Sequence, residues 1–417
     1  MKKQKIIILG GNPETGAIVD VANKMGLHTI VIDPYPNAPA KKNAHSTYNI
    51  DVRETDKINK IIKNEQVGGV LVGVADPLVP YYEKICRENN FPCYATKEII
   101  NYFSSKSNFA GICSKNNINV IPSYSTDSDL NKLAYPVVIK PVDSGAGVGI
   151  SICNTPIEAE IGIKKALEVS IKKEYLIEKY MECDDMFAYY TFINGEVYLS
   201  ALADRYKTKK QGTSSSVCIA AEYPSKYKEI FIEKIHPKLV LMFKKLGVHN
   251  GVLLIQFFVD QENFYAYDPG FRIQGEAPHI YLKHFNNFDH REMLINFAMT
   301  GSMYSGNFSE KNNCLFSGEH AATLWVLLKA GTIGKISGIA EIKSHPNVIN
   351  FIQRFNSNDI IENNMLGTER QVFCRIYTTA KEKSEVQKTI NFIKDNLIIE
   401  DNKKQDMILD FWNGHEK

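Results

Sequence analysis

Apolar positions open the chain in short, evenly spaced blocks. Lys5-Ile-Ile-Ile-Leu9 is continuously hydrophobic and stops at Gly10-Gly11, the pattern of a parallel strand buried on both faces. From about Glu14 to Met25 the apolar residues Ile18, Val19 and Ala22 fall at helical spacing, and Gly26 supplies a C-cap. Leu27 to Ile32 is a second strand closed by Asp33-Pro34, Thr55 to Asn64 a helix, and Gly69 to Val74 a further buried strand. This alternation predicts a doubly wound α/β domain over residues 1–102.

After Phe103 the pattern changes. Strand-like runs cover Val137 to Lys140, Gly149 to Cys153, Tyr175 to Tyr180 and Phe187 to Ile193, and Asn194-Gly195 turns the last of these into Val197 to Ala203. A second hairpin joins Val252 to Val259 with Phe264 to Tyr267, and a helix is expected over Glu229 to Leu246. We assign residues 103–310 to a two-lobed α+β domain, one lobe over about 135–203. Residues 311–417 form a small α+β domain with a strand at Gln371 to Tyr377 and a helix at Lys381 to Leu397.

Composition adds mainly exclusions. Of 417 residues, 44% are hydrophobic and 23% charged, the balance of a soluble globular protein. The 49 basic and 47 acidic side chains leave a net charge of +2, which favours neither a nucleic-acid nor a membrane partner. The eight cysteines show no metal or redox spacing and read as free thiols of a cytoplasmic protein. The apolar run Ile6 to Leu9 is too short for a signal core or a membrane span. His279 and His284 lack a third ligand at metal spacing and read as surface histidines.

Two glycine-rich turns are candidates for chemistry. Gly10-Gly11-Asn-Pro-Glu-Thr-Gly16, with Asp33 ending the next strand, lacks the dinucleotide spacing and fits a tight turn or a small-substrate site. The second is Tyr135-Pro-Val-Val-Ile-Lys140-Pro-Val-Asp-Ser144-Gly145-Ala-Gly147-Val-Gly149. A strand lysine runs straight into a loop whose bare backbone can approach phosphate oxygens.

That stretch resembles the phosphate-covering loop of the ATP-grasp superfamily, which includes glycinamide ribonucleotide synthetase, biotin carboxylase and amino-acid ligases. Other segments follow in the order the resemblance requires. Ser105-Lys106 resembles the segment with the first ATP lysine, and Lys140 matches the second. Leu176-Ile-Glu178-Lys179-Tyr180-Met181 resembles the hinge strand that reads the adenine edge. Asp184 or Asp185 stands at the ribose position.

The stretch from Leu254 to Glu276 resembles the metal and catalytic strands. In the family two strands each present a carboxylate and an asparagine completes a magnesium shell. Here Gln256 takes the first position, Asp268 the second, and Gly270 replaces the asparagine. With Gln256 neutral, the resemblance implies magnesium held mainly by Asp268 and the phosphates; Asp260 and Glu262 are nearby carboxylates that could compensate, which no sequence pattern indicates. Arg272 is the implied clamp on the reacting group, and Glu276, or a histidine such as His279, the proton acceptor.

The fold implied is an N-terminal α/β domain, a two-lobed ATP-grasp domain and a C-terminal lid domain. The implied activity is ATP-dependent ligation through an acyl phosphate onto an amine, with ATP and Mg²⁺ as cofactors and ADP and phosphate released. Small-molecule carboxylate and amine are the partners. Many members are dimers, so a homodimer is one expected assembly. Carboxylation or simple phosphoryl transfer, suggested by Arg272-Ile-Gln274-Gly-Glu276, is the second reading. A nucleotide binder without turnover, suggested by Gln256 and Gly270, is the third, and a nicotinamide dehydrogenase a distant fourth.

Overall fold

The computed structural model describes residues 4–143, 148–208 and 217–414. Lys5–Leu9, His28–Ile32, Ser46–Tyr48 and Gly69–Val72 form a parallel sheet whose first strand lies between the second and the fourth. Ile6 to Leu9 have no exposed surface, as a strand covered on both faces requires. The helix Pro13–Lys24 starts on Asn12, whose side chain accepts from Thr15 N at 2.8 Å, with Pro13 in the first turn and Glu14 at the positive helix end. Strand order reverses between Lys5–Leu9 and Gly69–Val72, and a crevice opens where those two strands end. Glu14 follows the first of them and Asp76 the second.

A small antiparallel sheet of Ser123–Tyr124, Val137–Pro141, Ser151–Cys153 and Tyr175–Lys179 packs under the helix Pro156–Val169. It has its own core around Val137, Ile139 and Ile177, separate from the core that runs through the rest of the molecule. This lobe ends at Lys179, earlier than the expected 203. Asp184–Ile193 and Glu196–Lys207 join the large sheet instead.

Among the described residues the large sheet has ten strands, and it continues across residue 310. His320–Leu328 pairs with Cys218–Tyr223, and Val372–Ala380 and Val348–Gln353 extend it further. The C-terminal region is thus welded to the central domain by backbone hydrogen bonds. Among the described residues no helix is long and apolar enough to cross a membrane.

Candidate active site

A cleft of about 1530 Å³ runs between the small lobe and the large sheet, and Glu14, Asp76, Lys106, Lys140, Glu178 and Arg375 all line it. At the small-lobe end Lys140 and Glu178 lie on adjacent antiparallel strands, with Lys140 Nζ 2.6 Å from Glu178 Oε2 and both side chains largely buried. Val138, Ile150 and Ile152 give this end an apolar face. Lys179 N donates to Pro122 O at 2.9 Å and Tyr180 N to Pro136 O at 3.2 Å, so both amides are committed to the fold. Tyr180 and Met181 still line the cleft. Gly149 has φ +79°, and a Cβ there would lie 2.7 Å from Pro141 Cγ, so packing alone demands the glycine. Ser144, Gly145 and Gly147 fall outside the described residues.

On the large sheet, a bulge between Gln256 and Phe257 lets Tyr267 and Asp268 both reach the region of Gln256. Tyr267 OH donates to Gln256 Oε1 at 2.6 Å and lies 3.0 Å from Asp185 Oδ1. Asp185 sits directly opposite Arg205 on the neighbouring strand, and its carboxylate takes Arg205 Nη1 at 3.1 Å and Lys207 Nζ at 3.2 Å. The sequence reading of Asp185 as a ribose contact needs correction. The side chain is 1% exposed and its oxygens are held by an arginine, a lysine and a phenol.

The metal assignment also changes. Gln256 Oε1 accepts from Tyr267 and from Arg205 Nη1 at 3.4 Å, which uses both of its lone pairs. Asp268 keeps a partly exposed carboxylate, with Lys106 Nζ 3.8 Å away. Neither Asp260 nor Glu262 lines the cleft, and Glu262 pairs with Lys234 at 2.6 Å. Among the described residues no three His, Cys, Asp or Glu side chains converge on a metal position. The described side chains do not by themselves complete a magnesium shell.

At the other end of the cleft the geometry is denser in charge. Arg272 Nη2 lies 2.6 Å from Asp76 Oδ2, and its Nη1 donates to Ile273 O at 2.9 Å. Burial pushes the Glu276 carboxyl above its ordinary range and the Glu369 carboxylate adds to this, while Arg272 and Arg375 pull the other way. Glu276 Oε2 is buried without a hydrogen-bond partner among the described residues, as are Arg272 Nε and Arg375 Nε. A proton-accepting role for Glu276 is consistent with this setting. His279 does not fit that role. It is 6% exposed at the start of the helix His279–Asn286, off the cleft lining, and burial pushes its imidazole down to about 3. It is not a surface histidine either, whereas His284 is exposed.

Sequence reasoning missed a second set of charges here. Glu14 bonds Arg354 and lies 3.4 Å from Arg375 Nη1; burial raises its carboxyl, but the two arginines outweigh this and hold it below the usual range. Arg375 also reaches Glu369 at 3.3 Å and bonds the Gly275 carbonyl, and it stands opposite Trp325 with its guanidinium 5.6 Å from the ring. One signal was available: Arg375 lies in an otherwise uncharged strand, Val372–Ala380, and a buried arginine needs a reason.

Residues 107–267 match the family model for the D-ala D-ala ligase C-terminus. A formate-dependent phosphoribosylglycinamide formyltransferase of Wolinella succinogenes is 26% identical over 201 residues, 46% of this chain and 51% of that protein. The chain thus aligns with about half the length of such curated relatives. An L-amino acid ligase structure from Bacillus licheniformis superposes with a TM-score of 0.79 at 18% identity, over 96% of this chain and 100% of that one. A phosphoribosylglycinamide synthetase structure from Anaerococcus prevotii gives 0.75 at 16% identity, with coverage of 96% and 100%. The fold is that of the ATP-grasp superfamily, as the ordered motifs led us to expect.

Proposed function

We propose that this ATP-grasp protein is an ADP-forming ligase that activates a small carboxylate as an acyl phosphate and joins it to an amine. The observation that carries the reading is that one cleft holds two chemically different ends. A lysine–glutamate pair and an apolar face form the first, and a dense arginine–carboxylate cluster forms the second.

At the first end the apolar face formed by Val138, Ile150 and Ile152 suits a purine, and Lys140 and Lys106 suit its phosphates. Nucleotide entry would exchange the Lys140–Glu178 contact for one with phosphate. With the amides of Lys179 and Tyr180 committed, the base edge falls to Met181 and the residues after it. Asp268 is the carboxylate available to a cation that arrives with the phosphates.

At the second end the substrate carboxylate would lie against Arg272. Its oxygen attacks the γ-phosphorus and ADP departs. The amine nitrogen then attacks the acyl carbon, the C–O bond to phosphate breaks, and the amine proton passes to Glu276. Positioning and charge neutralisation do most of the work in such a transfer. Glu14, Arg354 and Arg375 offer both signs of charge for a zwitterionic partner. The names of the relatives, one formate-dependent and one an L-amino acid ligase, favour a small carboxylate and an amine-bearing acceptor.

The test is nucleotide release from Mg-ATP with pooled amino acids, other small carboxylates and bicarbonate supplied in turn. ADP and phosphate appearing only with a carboxylate and an amine together support the ligase. Turnover with bicarbonate alone would replace it by carboxylation, the second reading, for which Arg272-Ile-Gln274-Gly-Glu276 is the motivating segment.

A further inference from the structure

The arginines at the substrate end of the cleft already hold an anion that the chain itself supplies. Glu14 Oε1 bonds Arg354 Nη2, and Arg375 Nη1 lies 3.4 Å from the same oxygen. Glu14 stands in the first turn of the helix Pro13–Lys24, where the helix end adds positive potential, and Asn12, Pro13 and Glu14 all line the cleft. Burial raises the Glu14 carboxyl, but the two arginines hold it below its ordinary range, so it is ionised at neutral pH. Its side chain is 21% exposed, which lets a ligand reach the pair. The neighbouring arginines are matched in the same way: Arg375 Nη2 lies 3.3 Å from Glu369 Oε2, and Arg272 Nη2 lies 2.6 Å from Asp76 Oδ2. Arg370 also lines this end, but it is exposed, where water and salt screen its charge.

Resting on the ligase reading above, we infer that Glu14 sets the specificity of this end of the cleft, rejecting phosphorylated amines in favour of zwitterionic ones that carry no phosphate. A ligand with one carboxylate and one ammonium can take over both halves of the Glu14–Arg354 pair. Its carboxylate goes to the arginine and its ammonium to Glu14, and no charge is left unmatched. A phosphate ester brings roughly −1.5 to −2 charges at pH 7. It must either displace Glu14 from its arginines, stranding a half-buried carboxylate, or bind with like charges side by side. The discrimination thus comes from a repulsive element built into the site, not from a better contact to the accepted ligand.

Calorimetric titration of the full chain with serine and with O-phosphoserine, in the presence of a non-hydrolysable ATP analogue, tests this. The parent is expected to bind O-phosphoserine at least about 10-fold more weakly than Glu14→Gln, in which Arg354 and Arg375 are left for the phosphate. Glu14→Asp keeps the charge and is expected to behave as the parent, and adding Arg354→Gln to Glu14→Gln is expected to abolish the gain. Equal O-phosphoserine affinity in the parent and Glu14→Gln, whether both bind or neither does, would overturn the inference. Binding of the ATP analogue to each variant shows that it is folded. Where Glu14→Gln does not fold, O-phosphoserine binding to the parent as tightly as serine, or more tightly, is the overturning result. Because binding is read without turnover, the expected pattern in a chain that releases no ADP with any carboxylate and amine would keep the role of Glu14 while sinking the ligase.

Discussion

Arg272 of the central domain lies 2.6 Å from Asp76 of the N-terminal domain, so the arginine proposed to clamp the reacting group is aimed by a carboxylate 196 residues away in sequence. Asp76 stands where the strand Gly69–Val72 opens onto the crevice of the parallel sheet. In the proposed reaction the N-terminal domain would thereby act by positioning Arg272.

Asp76→Asn should leave nucleotide affinity unchanged and lower kcat about 10- to 100-fold, the scale expected when a reacting group loses its alignment. Steady-state kinetics beside calorimetric titration of the ATP analogue checks this. Equal losses in both measurements would place Asp76 in folding rather than in positioning.

Glu276→Gln removes the proposed proton acceptor while keeping its shape, and kcat should fall about 10²- to 10⁴-fold. Its stability effect has the opposite sign. The folded carboxyl is raised by burial and by Glu369, so its contribution to stability is complete below the ordinary carboxyl range and is lost as pH rises through the raised value. The Gln variant should therefore melt higher than the parent at pH 8, with the gap closing toward pH 4. A lower Tm at pH 8 would contradict the assignment.

Removing Lys140 alone leaves Glu178 largely buried without its partner. Lys140→Met should cost about 3 kcal/mol of small-lobe stability and weaken nucleotide binding roughly 10- to 100-fold. The double variant with Glu178→Met should recover much of the stability and none of the binding. Recovery of both would mean that neither side chain touches the nucleotide.

Arg354→Ala should raise the KM of the substrate bound near Glu14 about 10- to 100-fold, with kcat and nucleotide affinity little changed. An unchanged KM for both the carboxylate and the amine would move the substrate site elsewhere.

How much of this was legible in the sequence depended on whether the information was contiguous. Lys5–Leu9 and Gly69–Val72 announced themselves as unbroken apolar runs, and the Asn194-Gly195 turn sits between Asp184–Ile193 and Glu196–Lys207 with both residues at positive φ. Lys106, Lys140, Asp268 and Arg272 occur in ordered motifs, and the fold brings them to one cleft. The expected helix Glu229 to Leu246 is instead two, Lys228–Lys234 and His236–Leu246, with Pro237 in the first turn of the second.

What was not legible came from long-range assembly. Glu14 and Arg354 are 340 residues apart, and no periodicity links them. Strand pairing between Cys218–Tyr223 and His320–Leu328, which carries the large sheet past residue 310, leaves no trace in local texture. Asp185 looked available because sequence shows a carboxylate without its partners. Only the register of neighbouring strands puts Arg205 opposite it.

Carboxylate activation by phosphoryl transfer is tested by following oxygen. With the carboxylate substrate labelled in both oxygens with ¹⁸O, each turnover should deliver one ¹⁸O to the released inorganic phosphate, read by mass spectrometry. Unlabelled phosphate, or AMP and pyrophosphate in place of ADP and phosphate, would contradict the acyl phosphate route.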